Sequence, residues 1–199
     1  MEDSISRKLK LAHKKYIDSF LEGNPSLMAE LAGGSFEDGK IIIRHFNTDY
    51  AVDCGDCSIT PKPSTYLEEI LILKYLREAQ GMEGPGEDFQ AFIQLPCGSH
   101  HIKAFKAEVT DVLAKRFGAD FQGFKAACEE LGGIPASDGD MAYVLSFFPK
   151  IYVKIIIWEA DEEFPAASNF LFDSRCSFHM DTDGLNELAN ATAELLCGE

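Results

Sequence analysis

Apolar residues three and four apart predict a helix over residues 4–21, with Ile5, Leu9, Ala12, Tyr16 and Phe20 on one face. Gly23-Asn24-Pro25 ends it, Ser26 can cap a second helix to Ala32, and Gly33-Gly34 stops that one. Ile41 to Phe46 and Tyr50 to Cys54 then read as strands, with Asn47-Thr48-Asp49 as a hairpin turn. After the loop C-G-D-C-S-I-T-P-K-P, Ser64 opens a helix to about Gln80. It is apolar on most of its circumference, the pattern of a helix buried on more than one side. A strand from Phe89 to Leu95 follows the loop G-M-E-G-P-G-E-D. The next helix runs from about Ser99 to Phe117, with Ile102, Phe105, Val109, Val112 and Leu113 inward. Another spans Asp120 to Leu131, with Phe121, Phe124, Cys128 and Leu131 inward and Gly132-Gly133 as its stop. Tyr143 to Phe148 and Ile151 to Trp158 give two of the strongest strand signals, joined by a hairpin at Pro149-Lys150. Their unbroken apolar character predicts central strands covered on both faces. A last helix, Thr182 to Leu196, is capped by Asp181 or Asp183 and turns Leu185, Leu188, Ala189, Thr192 and Leu195 inward.

Strands arrive in adjacent pairs with short links, so the order favours α+β over a doubly wound parallel fold. It predicts a mainly antiparallel sheet of about five strands packed with about six helices. A chain of 199 residues with 46% hydrophobic content suits one globular domain, with residues 1–35 as a helical part and 36–199 as the α+β core.

The net charge of −15 argues against nucleic acid and against an anionic membrane surface as partners. Arg7, Lys8, Lys10, Lys14 and Lys15 make a small basic patch, opposed by Glu2, Asp3 and Asp18, that reads as one solvated helix face. Without a transmembrane run or a signal peptide, the expected location is the cytoplasm, where six cysteines stay reduced or bind metal. No Gly-rich phosphate loop and no G-x-S-x-G elbow occurs, so nothing supports a kinase or a serine hydrolase.

Three stretches carry a family resemblance: Y-L-E-E-I-L-I-L-K-Y-L-R-E-A-Q-G, F-Q-A-F-I-Q-L-P-C-G-S-H-H-I-K-A-F and D-E-E-F-P-A-A-S-N-F-L-F-D. From roughly residue 40 to the C-terminus the chain resembles the bacterial and archaeal domain-of-unknown-function family number 3786. The resemblance implies a cytoplasmic protein of anaerobes and carries no established activity. Some members of that family have an added cysteine-rich iron–sulfur segment, and this chain lacks a four-cysteine run of that kind.

Cysteine and histidine spacing is the strongest chemical pattern. Cys54 and Cys57 form a C-x-x-C, and Cys97/His100 and Cys176/His179 repeat the interval with histidine second. Random placement of such residues gives roughly half a pair at this spacing, and zinc or iron accepts thiolate and imidazole from it. The competing reading is that free cysteines are small buried hydrophobes, as Cys128 and Cys197 look to be. Redox chemistry at Cys54 and Cys57 would need a helix N-terminus, and Pro61 and Pro63 intervene.

The acidic stretch offers Asp161, Glu162, Glu163 and Asp173, with Glu159 beside them, as candidates for acid–base work or a hard cation. The plainer reading is a junction. The strand ends at Glu159, Asp161 or Glu162 opens a short helix, and Pro165 sits in its first turn. Lys154, inside an apolar strand, is either a reactive buried amine or one that snorkels to solvent, and His100-His101 reads as a polar helix start.

Two functions follow. One is a non-catalytic ligand-binding or interaction module with a small-molecule ligand or a protein partner. By resemblance it would serve anaerobic redox or cofactor metabolism, and a homodimer is compatible with it. The other is a zinc- or iron-dependent protein or enzyme using the Cys/His pairs, with the acidic stretch nearby.

Overall fold

The computed structural model describes residues 4–82, 84–86 and 88–198. Glu2 and Asp3 lie outside the described residues, as do the side chains of Ile5, Arg7, Lys8 and Leu9.

Helix α1 (Ser4–Leu21) leads into α2 (Pro25–Ala32). Asn24, not Ser26, caps α2, because Pro25 already has the φ of a first helical residue and the Asn24 carboxamide accepts from Leu27 N at 3.1 Å. A four-stranded antiparallel sheet follows: β1 (Ser35–Glu37), β2 (Lys40–His45), β3 (Thr48–Asp53) and β4 (Ile59–Thr60), in that spatial order. The β2–β3 turn is tighter than expected. Thr48 and Asp49 belong to the strand, and Phe46 takes a positive φ to close a turn at Phe46-Asn47.

The central helix α3 (Tyr66–Glu78) is capped by Thr65 rather than opened by Ser64, since the Thr65 hydroxyl accepts from Glu68 N. Residues Ile70 to Leu76 of α3 are all buried, as the all-round apolar pattern predicts. Beyond it, β5 (Phe89–Ala91) is shorter than the sequence suggests, because the chain turns into a 3-10 segment at Phe92–Gln94. The following helix also starts late, after a 3-10 turn at Gly98–His100. It runs as α4 (Ile102–Phe105), a π-helical stretch (Lys106–Thr110) and α5 (Asp111–Phe117) without a break. Val112 sits half-buried on its flank rather than inward. Helix α6 (Phe121–Glu130) is capped by Asp120.

The second sheet has the order β5-β9-β8-β7-β6, all antiparallel: β6 (Ile134–Ala136), β7 (Met141–Phe148), β8 (Ile151–Trp158) and β9 (Ala167–Asp173). The β7–β8 hairpin at Pro149-Lys150 is as expected. Strand β9 was not, since the acidic stretch reads as a junction into a helix. Here Asp161 Oδ1 accepts from Glu163 N and Phe164 N, at 2.8 and 2.7 Å, and folds a turn instead. From Ala167 the residues of β9 alternate, with Phe170 and Phe172 in the core and Asn169 outside. Helix α7 (Thr182–Cys197) is capped by Asp181. Leu195 is 53% exposed and Leu196 takes the inward position, one residue later than the sequence pattern indicates.

The protein is α+β, with two antiparallel sheets where one was expected. Counting the α4-to-α5 rod once, six helices accompany nine strands among the described residues. One connected cluster of buried side chains runs from Phe20 through both sheets to Leu196. The helices cover one face of the larger sheet. Its other face, bearing Val144, Tyr152, Lys154 and Trp158, is only half-covered, so β7 and β8 are not enclosed on both sides. Tyr75 of α3 locks the centre. Its hydroxyl donates to Ala32 O at 2.7 Å and accepts from Lys150 N, and its ring stacks on Phe148. Among the described residues no helix is long and apolar enough to cross a membrane.

Candidate functional site: a cleft at His45 and Glu68

The tip of the β2–β3 hairpin meets the end of β7, where Phe46 N donates to Phe147 O at 3.2 Å. This contact places His45, the last residue of β2, among the rings of Phe46, Tyr50, Phe147 and Phe148. His45 is 5% exposed. Its Nδ1 lies 3.1 Å from Phe147 O, and a carbonyl can only accept, so Nδ1 carries the hydrogen. In the neutral ring Nε2 is then an acceptor. Burial lowers the His45 pKa below its ordinary value, against the opposing effects of the Phe147 carbonyl and the Glu68 charge, so the ring is neutral at pH 7.

Nε2 stands 3.6 Å from Oε1 of Glu68. Glu68 comes from the first turn of α3, where T-Y-L-E supplies the Thr65 cap and an acid three residues on. Its carboxylate accepts from Tyr50 Oη at 2.6 Å and from Ser64 N at 2.7 Å. Burial, and then the hydrogen bond to Glu68, raise the Tyr50 pKa, so the phenol keeps its proton. A cleft of about 220 Å³ opens over this pair. Leu67 and Leu71 of α3, Phe147 of β7 and Ala191 and Leu195 of α7 form its apolar wall, with Glu194 at the side. The arrangement is an apolar pocket with two acceptors facing each other at its floor. A ligand donating an N–H or O–H between Nε2 and Oε1 satisfies both.

The residues singled out by the sequence lie elsewhere. Cys54 and Cys57 flank the β3–β4 turn, and the Cys57 thiol packs against the Ile17 carbonyl of α1. Burial, with nearby acids adding to it, raises both thiols, Cys57 to about 11. Both thiols, the half-buried Cys54 and the buried Cys57, keep their protons at neutral pH. Cys97 and His100 are exposed on the 3-10 turn before α4. Cys176 and His179 are fully buried after β9, and burial pushes the Cys176 thiol up to about 12. Cys128 is buried too, its thiol likewise at about 12. Among the described residues no three histidine, cysteine or acidic side chains come together as a metal site.

The acidic candidates are also separated. Asp161 is occupied by its own turn, Glu162 and Glu163 are exposed, and Asp173 is buried at the other end of β9. There its two oxygens accept from Gly86 N at 2.5 Å and Arg175 N at 2.9 Å. Lys154 reaches Asp138 at 3.0 Å and lies over the Phe89 ring, on the half-covered face of the sheet. His100 and His101 are exposed at the helix start. Sequence reasoning missed His45, Tyr50 and Glu68. The capping-box spacing of Thr65 and Glu68 is visible, but a lone histidine ending an apolar strand shows no partner until the fold supplies one.

Fold and cleft thus define an α+β protein of two antiparallel sheets with a small pocket between α3, β7 and α7. The profile of the domain of unknown function DUF3786 matches residues 24–194, and the chain belongs to that family. No curated protein and no solved structure matches the chain. The match begins within the loop before α2, ahead of the stretches that carry the resemblance, and leaves α1 outside it.

Proposed function

We propose that the protein is a non-catalytic binding module for a small molecule with an apolar body and a hydrogen-bond-donating head, an amine, amide or hydroxyl. The observation that carries this is the pair of acceptors, His45 Nε2 and Glu68 Oε1, 3.6 Å apart on the floor of an apolar cleft. The volume of about 220 Å³ lies below that of pockets for drug-sized ligands, which points to a compact metabolite. The net charge of −15 argues against nucleic acid or an anionic membrane as its partner.

The test is a thermal-shift screen with small apolar amines, amides and alcohols, run on metal-analysed protein. The expected result is a Tm rise with a subset of donors, absent for the O-methyl ethers of the alcohols, the N,N-dimethyl amides and the quaternary trimethylammonium forms of the amines, none of which can donate, and absent in Glu68→Gln. If no donor shifts Tm, or donors and methylated analogues act alike, the reading fails. About one zinc or iron per chain, lost on replacing Cys54 and Cys57, Cys97 and His100, or Cys176 and His179, would move the function to the metal-dependent alternative.

A further inference from the structure

Strand β9 has neighbours on both sides for only part of its length. β8 pairs with it from Phe172 to Ala167, whereas β5 covers only Leu171 to Asp173. At Ala91 the chain leaves the sheet for the 3-10 turn, so among the described residues no strand lies beside β9 on that side from Ala167 to Phe170. The register fixes where the backbone groups point. Ser174 N donates to Asp88 O on the β5 side, and the alternation along a regular strand directs the groups of Phe172, Phe170 and Ser168 the same way.

A groove of about 480 Å³ runs along this edge, in the place β5 would fill if it continued. Phe92, Ile102, Phe105, Ala114 and Phe170 give it apolar walls. The helical wall carries the π-helical stretch, whose Thr110 carbonyl accepts from Ser168 Oγ at 2.7 Å. Such stretches are concentrated at functional sites. At the Ala167 end the chain enters from Glu159, Asp161, Glu162 and Glu163, all exposed.

We propose that this groove is a strand-addition site for an extended, basic-ended peptide segment of a partner protein. The segment continues β5 and therefore runs antiparallel to β9, exchanging backbone hydrogen bonds with Ser168. Its alternate apolar side chains enter the groove, and its C-terminal end reaches the acids at 159–163. Those acids and the net charge of −15 favour a basic peptide over a second copy of this chain.

The probe is a fluorescent acetylated peptide, Val-Thr-Val-Thr-Val-Lys-Lys, titrated by anisotropy at low salt. The expected result is saturable binding. Methylating alternate backbone nitrogens or introducing Ser168→Pro weakens it about tenfold or more, through loss of ladder bonds. Replacing the two lysines by glutamates, or Glu162 and Glu163 by lysines, weakens it as well. The Ser168 amide points away from β8, so the proline leaves the β8–β9 ladder intact. Should that variant not fold, the methylated peptides still decide against wild-type protein. Absence of binding to about 1 mM peptide overturns the proposal, because that is already as weak as about −4 kcal/mol. So does equal binding of the methylated peptides, or a wild-type dimer that Ser168→Pro dissolves, which would make the occupant a second copy.

Discussion

At the scale of the residue, His45 sets the behaviour of the cleft. Its folded-state pKa lies below the ordinary 6.5, through burial first. The unfolded chain therefore takes up the proton sooner as the pH falls. The stability His45 contributes is complete above about 6.5 and declines as pH drops through that value towards the folded pKa. Urea melts at pH 7.5 and 5.5 should show this decline in the wild type. His45→Gln, which keeps a donor for Phe147 O and does not titrate, should lose less over the same interval. Equal declines in both proteins would mean that His45 is not the titrating group. The role of Glu68 at the cleft was not legible, because the hairpin that carries His45 and Tyr50 is local but its packing against α3, which brings both to Glu68, is tertiary. The cysteine spacing was legible for the converse reason. Interval in the sequence is visible, whereas convergence of three pairs in space depends on the fold.

At the scale of the element, α3 is the piece against which α1, α2 and α7 pack, and Lys74 is its one buried charge. Its Nζ donates to Tyr16 of α1 at 2.9 Å, to Glu78 one turn on at 2.6 Å, and to Asp181, the cap of α7, at 2.8 Å. Burial opposes the charge, but the bonds to Asp181, Glu78 and Tyr16 outweigh it and raise the Lys74 pKa. Asp181 is likewise held below the usual carboxylate range in spite of its own burial. Lys74→Met keeps the aliphatic stem and removes the charge. Breaking a fully buried pair costs roughly 3–5 kcal/mol, and the partial exposure of Glu78 and Asp181 reduces this to about 2 kcal/mol. Chemical denaturation measures it, and a loss within about 0.5 kcal/mol of zero would make the cluster energetically neutral.

Helices were the legible part of the fold at this scale. Their apolar period and their caps are local, and boundaries moved by only a few residues, as at Asn24 and Thr65. The short strands were not. β1, β4 and β6 have two or three residues each and no period to read. β9 does alternate, in A-S-N-F-L-F-D, but the acids and Pro165 ahead of it imitate a helix start. The side chain that decides between the two is Asp161, which binds Glu163 N and Phe164 N as a turn former instead of capping a helix.

At the scale of the whole molecule, charge is the dominant long-range property. Thirty-three acidic residues face eighteen basic ones. Several of the basic residues are committed to local pairs, such as Lys74, Arg116 with Asp120, and Lys154 with Asp138. The excess negative charge is left to repel itself, and that repulsion is relieved on unfolding. Salt screens it, since the Debye length falls to about 10 Å at 0.1 M, while the buried Lys74 cluster is screened less. Raising sodium chloride from a low concentration to about 0.3 M should therefore stabilise the protein by about 1 kcal/mol, a Tm rise of about 2–4 °C for a chain of this size. Chloride is the right anion, because sulfate would also strengthen apolar burial and confuse the two effects. A flat or falling Tm would mean that the paired charges, and not the unpaired acids, govern the electrostatics of the fold. The same salt should weaken the lysine-ended peptide at the β9 groove while leaving an uncharged ligand in the His45 cleft unaffected, so one titration distinguishes the two surfaces.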